Sequence, residues 1–214
     1  MMLDLDNTLI DRDEMFRRAA RQFLARHNLP AIDLDWIVRL DDSGYTPRDD
    51  VAASLLARYG RSAPRPAAGV DALVTGGGSE YAAIAPATAR ALRDLRTAGH
   101  RTVVVTNGTV AQQTDKMIGA GLDVLVDGWV ISEAVGAKKP DPAIFHAAAE
   151  LADTGFAGAW IVGDRDDSDI LGAHRLGLNS VWLRRGQVWK RKDFCPTRQA
   201  DSVSEAVETI LSVR

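Results

Sequence analysis

Three short apolar runs, at residues 1–5, 102–105 and 160–162, constrain this 214-residue chain most, because each stops in a group of polar residues. The stops read Asp4-Leu5-Asp6, Thr106-Asn107-Gly108 and Gly163-Asp164. Unbroken apolar runs of this length suit strands buried on both faces, as in a parallel sheet. Further runs at 128–131 and 180–183 predict more strands. Between them lie helical patterns: 86–98 carries Leu92 and Leu95 and stops at Gly99, and 141–151 opens on Asp141 as N-cap with Pro142 behind it. Strands alternating with helices predict a doubly wound, Rossmann-like α/β core.

Residues 13 to about 75 break that rhythm. Phe16, Ala20, Phe23 and Leu24 share one helical face that ends near His27 and Pro30, and a second helix is expected over 33–40. A third is expected to start with Thr46 as N-cap, to carry Val51, Leu55 and Leu56 on one face, and to stop at Tyr59-Gly60. The expected division is an α/β core of 1–12 and 80–214 with a small α-helical cap of 13–79. Residues 75–79, Thr-Gly-Gly-Gly-Ser, would be a flexible return linker.

Open α/β sheets bind ligands outside the carboxyl ends of their strands, so the three polar stops should converge on one crevice. Residues i and i+2 of an extended segment point to the same side, which would let Asp4 and Asp6 face one ligand together. Like charges crowded this way call for a cation, and hard oxygen donors suit Mg²⁺, which Asp164 would help to hold. A carboxylate shielded by a metal can attack phosphorus through an aspartyl-phosphate, while a second acid protonates the leaving oxygen and then deprotonates water.

Four segments then carry a resemblance: Asp4-Leu-Asp6-Asn-Thr8-Leu, Val105-Thr-Asn-Gly108, Lys139-Pro-Asp-Pro-Ala-Ile-Phe145, and Val162-Gly-Asp164 followed by Asp169-Ile-Leu-Gly-Ala. In that order they resemble the signature motifs of the haloacid dehalogenase-like hydrolases, in the branch with a helical cap inserted after the first motif. The resemblance implies a phosphatase for a small metabolite of the nucleotide or sugar phosphate type. It makes Asp4 the nucleophile and Asp6 the general acid/base, whose backbone carbonyl also serves the metal. Thr106 would donate to the phosphoryl group, assisted by the N–H groups of Asn107 and Gly108. Lys139 would neutralise the phosphate and hold the nucleophile, Asp164 would bind Mg²⁺, and Asp169 would support the cluster. Residue type does not separate Lys138 from Lys139, although the direct step into Pro140 favours Lys139. Asp166 and Asp167 are alternatives to Asp169, with Asp167 or Ser168 also a candidate N-cap for the following helix. Thr8 either fixes the first loop or is a turn residue. Members of the family carry more residues before the first motif, so a very short first strand is expected here.

Two other functions fit the same fold: dehalogenation of a 2-haloacid, which resembles a pattern lacking the second acid, and a catalytically silent binding protein. Asp6 argues against the first and the four intact motifs against the second. Net charge is −3 and the isoelectric point about 5.8, which favours neither nucleic acid nor an anionic membrane. The start lacks a signal-peptide pattern, no apolar run reaches the roughly 20 residues of a membrane span, and Cys195 is a single cysteine, so a cytoplasmic enzyme is expected. The expected partner is a small phosphorylated metabolite, with the chain a monomer or homodimer. Gly76-Gly77-Gly78 lacks the Lys-Ser/Thr of a phosphate-binding loop, and the four histidines have no ligand spacing. The basic and aromatic stretch 184–192 reads as a loop at the active edge of the sheet rather than a nucleic-acid patch. Trp36, Tyr45 and Arg48 in the cap either meet substrate or pack.

Overall fold

The computed structural model describes residues 1–60 and 66–213, and the chain divides into two compact units, Met1–Ile10 with Ala83–Arg214, and Asp11–Ala82. The first holds one six-stranded sheet, entirely parallel. Its strands are β1 (Met2–Leu3), β2 (Val103–Thr106), β3 (Gly128–Ile131), β4 (Trp160–Gly163), β5 (Asn179–Leu183) and β6 (Arg198–Ala200), in the spatial order β3-β2-β1-β4-β5-β6. The three runs ending in polar groups therefore lie side by side.

β1 is shorter than the expected 1–5, yet it is central, with Met2 opposite Val103 and Ile161, and Leu3 opposite Val104 and Val162. It ends early because the chain turns inward. The Leu5 carbonyl accepts the N–H groups of Thr8, Leu9 and Ile10 at 3.3, 3.0 and 3.1 Å, and Asn7 has a φ of 60°. Asp4 and Asp6 are thus not i and i+2 of one extended strand.

Helices α5 (Pro86–Thr97), α6 (Val110–Gly119), α7 (Ser132–Val135), α8 (Pro142–Leu151), α9 (Leu171–Leu176) and α10 (Val203–Leu211) belong to this unit. As expected, Asp141 caps α8, its Oδ1 accepting the Ala143 N–H at 2.9 Å. Ile144, Phe145 and Ala148 of α8 pack on Val103, Val105 and Ile161 from the sheet. A Cβ at Gly172 would lie 2.3 Å from the Phe145 ring, so glycine is what allows α9 to approach α8 so closely.

The helical unit contains α1 (Arg12–Arg26), α2 (Leu34–Asp41), α3 (Arg48–Tyr59) and α4 (Ala67–Gly76). Phe16, Ala20, Phe23 and Leu24 of α1 meet Ile37, Val51, Leu55, Tyr59, Leu73 and Val74 in one apolar core. Three expectations are corrected. The N-cap of α3 is Pro47 rather than Thr46, with no side-chain cap bond. Leu56 is exposed, and Tyr59 completes the buried face with Val51 and Leu55. Thr75 and Gly76 close α4 rather than forming a linker, because Gly77 and Gly78, with φ of 58° and 85°, supply the left-handed residues that end a helix. Among the described residues, no helix is long and apolar enough to cross a membrane.

Candidate active site

Asp4 follows β1 directly, and its N–H donates to the Val162 carbonyl at 2.9 Å, which fixes it against β4. Thr106 closes β2, and Asp164 follows the last residue of β4. Lys139 arrives from the segment before α8 and is held by Asn107. The Lys139 N–H donates to Asn107 Oδ1 at 2.8 Å, and Asn107 Nδ2 donates back to the Lys139 carbonyl at 3.1 Å. The Lys139 ammonium is buried, whereas Lys138 is exposed. Lys139 Nζ donates to Asp4 Oδ1 and to the Val105 carbonyl, both at 2.6 Å, and forms an ion pair with Asp169 Oδ1 at 2.8 Å.

Of the three candidate acids Asp169 is the one wholly buried beside the Lys139 ammonium, and its Oδ2 accepts the Arg165 N–H at 3.1 Å. A Cβ at Gly163 would stand 2.2 Å from that oxygen, so glycine at the end of β4 makes room for the carboxylate. Asp167 pairs instead with Arg165, and Asp166 lies 3.8 Å from Arg191. Residues Asp166–Ile170 form a π-helical turn with Arg165 at its N-cap and no side-chain cap bond, so neither Asp167 nor Ser168 caps the helix.

Carboxylate oxygens of Asp4, Asp164 and Asp169 all lie within 4.8 Å of one another. One ammonium does not balance three acids. Asp4 is raised to about 7 on balance, chiefly by burial, with Lys139 opposing the rise and Asp169 adding to it. Burial likewise pushes Asp164 up to about 8, with Asp4 and Asp169 adding to the shift and Arg185 and Arg165 opposing it. Burial alone would lower Lys139, but Asp169 and Asp4 outweigh it and raise the group above its ordinary value.

The family model for haloacid dehalogenase-like hydrolases matches residues 1–177, across all four segments. This chain belongs to that family. The family member named glyceraldehyde 3-phosphate phosphatase from Pyrococcus furiosus is 27% identical over 237 residues, covering all of this chain and 91% of its own. Among solved structures, the HAD-hydrolase YfnB of Bacillus subtilis, bound to magnesium, superposes with a TM-score of 0.77 at 22% identity, over 98% of this chain and 96% of that one. A dehalogenase solved as an intermediate complex reaches 0.76 at 18% identity, over 97% and 95%. Both show the fold and do not separate the chemistries.

What separates them must come from side chains, and Asp6 is the relevant one. Its carboxylate meets α6, where Lys116 Nζ lies 2.8 Å from both Asp6 oxygens. Gln113 Nε2 donates to Asp6 Oδ2 at 3.0 Å and also to Thr106 Oγ1. Neither Gln113 nor Lys116 stands in a family motif. The N–H of Gly108 donates to Ser132 Oγ at 3.0 Å, and Arg185 Nη1 donates to the Asn7 carbonyl at 3.1 Å. Thr8 Oγ1 is buried and has no hydrogen-bond partner among the described residues.

The remaining features fall outside this cluster. His27, His146 and His174 pack on Phe23, Phe156 and Phe194 at centroid distances of 5.1, 4.8 and 5.1 Å. In the basic loop, Arg184 pairs with Asp201, Arg191 with Asp193, and Trp189 packs edge-on against Trp182. In the helical unit, Arg48 pairs with Asp41 and Trp36 packs on Tyr59, while Tyr45 is exposed. A groove of about 490 Å³ runs beside β3, between Trp129, Ile131 and Leu151, and no expected site residue lines it.

Proposed function

We propose that this chain is a Mg²⁺-dependent phosphatase for small phosphorylated metabolites that works through an aspartyl-phosphate on Asp4. The observation that carries the reading is the crowding of carboxylates at the end of β1, where Asp4 and Asp169 share a single buried ammonium and Asp164 lies beside them. Hard carboxylate oxygens in this number fit Mg²⁺ better than a softer metal. Asp4, Asp164 and the Asp6 carbonyl would hold the ion, which when bound supplies charge neutralisation for the carboxylates and the incoming phosphate.

The residues divide the remaining work. An oxygen of Asp4 forms a bond to phosphorus as the ester P–O bond breaks, and Asp6 gives its proton to the departing oxygen. Water then attacks phosphorus, loses its proton to Asp6, and releases inorganic phosphate and the Asp4 carboxylate. Thr106 Oγ1 accepts from Gln113, which leaves its own O–H to donate to a phosphoryl oxygen. Lys139 keeps Asp4 oriented and offsets charge that builds in the transition state.

A carboxylate nucleophile with a second acid two residues on serves phosphoryl transfer; displacement of halide needs no acid for its leaving group, and Asp6 disfavours it. Residues 13–79 act in this reading as the cap that selects substrate. Glyceraldehyde 3-phosphate, the substrate in the name of the Pyrococcus relative, joins nucleotides and sugar phosphates as a candidate. A cytoplasmic setting supplies such metabolites and keeps a thiol such as Cys195 reduced.

The test is turnover of an aryl phosphate with and without Mg²⁺, repeated with Asp4→Asn and followed by a panel of phosphorylated metabolites. Activity that needs both the metal and Asp4 supports the reading. Metal-independent turnover, or full activity in Asp4→Asn, contradicts it.

A further inference from the structure

Helix α6 opens just after the Thr106-Asn107-Gly108 turn, with Thr109 as its N-cap. Gln113 and Lys116, three residues apart, lie on one face of this helix. Both are buried, at 1% and 4% exposed, and both end on Asp6. A buried ammonium and a buried amide each cost free energy unless paired, and an apolar pair of similar size would pack the same place without that cost. The path is also built. The Gln113 stem passes so close to Gly108 that a Cβ there would lie 2.8 Å from Gln113 Cγ, and Gly108 has a φ of 153°. Glycine at the turn is what lets the amide reach both Asp6 and Thr106.

We infer that Lys116 and Gln113 are positioning residues for Asp6. Lys116 grips both carboxylate oxygens, and Gln113 ties one of them to the Thr106 hydroxyl. The proton carrier at the leaving oxygen and the donor at the phosphoryl group then keep one spacing through both half-reactions. This inference rests on the reading of Asp6 as general acid/base. It has a consequence that a merely structural ion pair lacks. An activated aryl oxide departs without a proton, whereas an alkoxide needs one, so a mispositioned Asp6 penalises alkyl phosphates more than nitrophenyl phosphate.

The experiment measures kcat/KM at saturating Mg²⁺ over a series from nitrophenyl phosphate through phenyl phosphate to an alkyl phosphate. It compares wild type, Lys116→Met, Lys116→Arg and Gln113→Leu, each checked for the wild-type rise in Tm on adding Mg²⁺. Lys116→Met is expected to lose about tenfold on nitrophenyl phosphate and about 10²- to 10³-fold on the alkyl ester, within the range of general acid catalysis. Lys116→Arg should recover part of the alkyl activity. Gln113→Leu, a neutral replacement that carries the test if Lys116→Met does not fold, should show the same steepening to a smaller degree. Equal losses across the series, or no loss, overturn the inference while leaving the phosphatase reading intact. A wild type that turns over no phosphate at all overturns both.

Discussion

Asp41 in the helical unit and Asp4 in the α/β unit are both buried, at 1% and 6% exposed, but their surroundings differ in sign. Asp41 is wrapped by two guanidinium groups. Arg12 Nη2 and Arg48 Nη1 each donate to Oδ1 at 2.8 Å, Arg12 Nη1 donates to Oδ2, and the Gly44 N–H adds a bond to Oδ2 at 3.0 Å. Asp4 shares one ammonium with Asp169 and has Asp164 beside it. A buried carboxylate whose charge is matched serves the fold. One left in surplus is costly to the fold, and a role for that surplus is the physical reason to expect function there.

Single substitutions should separate the two regions. Asp4→Asn is expected to lower kcat/KM by at least about 10³-fold, because the nucleophile is gone, with no fall in Tm since it removes surplus charge. Asp41→Asn is expected to do the reverse. It should cost about 3 kcal/mol of stability in a denaturant titration, by leaving two guanidinium groups poorly matched, while kcat stays within about threefold below the melting range. A large stability loss in Asp4→Asn would remove the contrast.

Mg²⁺ sharpens it further. At a concentration about 100 times its Kd the ion should stabilise the protein by about 2.7 kcal/mol, a gain that EDTA reverses. Asp164→Asn should abolish the gain and Asp41→Asn should keep it, both read by Tm against Mg²⁺.

The pH dependence has opposite signs in the two units. Asp4 and Asp164 have raised folded values, so between the ordinary carboxylate range and about 7 to 8 the folded protein binds more protons than the unfolded chain, and metal-free protein should lose stability as pH rises through that window. Asp33 in the helical unit is held below the usual range, first by its hydrogen bond from Arg58 and against the opposing effect of burial. Its contribution is full above about pH 4 and is lost as pH falls through its folded value. Asp33→Asn should therefore flatten the acid limb alone, a smaller effect than the others, measured by Tm against pH in EDTA.

Much of the α/β unit was legible because its strands are unbroken apolar runs. The ends of β2 and β4 and the Asp141 cap follow from residues adjacent in sequence, whereas Lys139 was legible only through the resemblance of its segment to a family motif. α6 was not legible, since its buried face includes Gln113 and Lys116, and polar residues on a helix read as solvated surface. Only the end of β1 shows why they are buried. The divergence of Asp4 and Asp6 was hidden for a related reason: strand alternation assumes an extended chain, and the Leu5 carbonyl gathers three N–H groups into a turn instead. Residues 75–79 misled through composition, because glycines that end a helix look like glycines in a linker. β6, with Arg198 and Gln199 exposed, carries no apolar run to mark it.

The central claim is that Asp4 carries the phosphoryl group, and acid-quenched mass spectrometry of protein mixed with Mg²⁺ and an aryl phosphate tests it directly. The account predicts a phosphorylated peptide containing Asp4 during turnover, accumulating in Asp6→Asn and absent from Asp4→Asn. Phosphate released while the Asp4 peptide stays unmodified in both wild type and Asp6→Asn would contradict it.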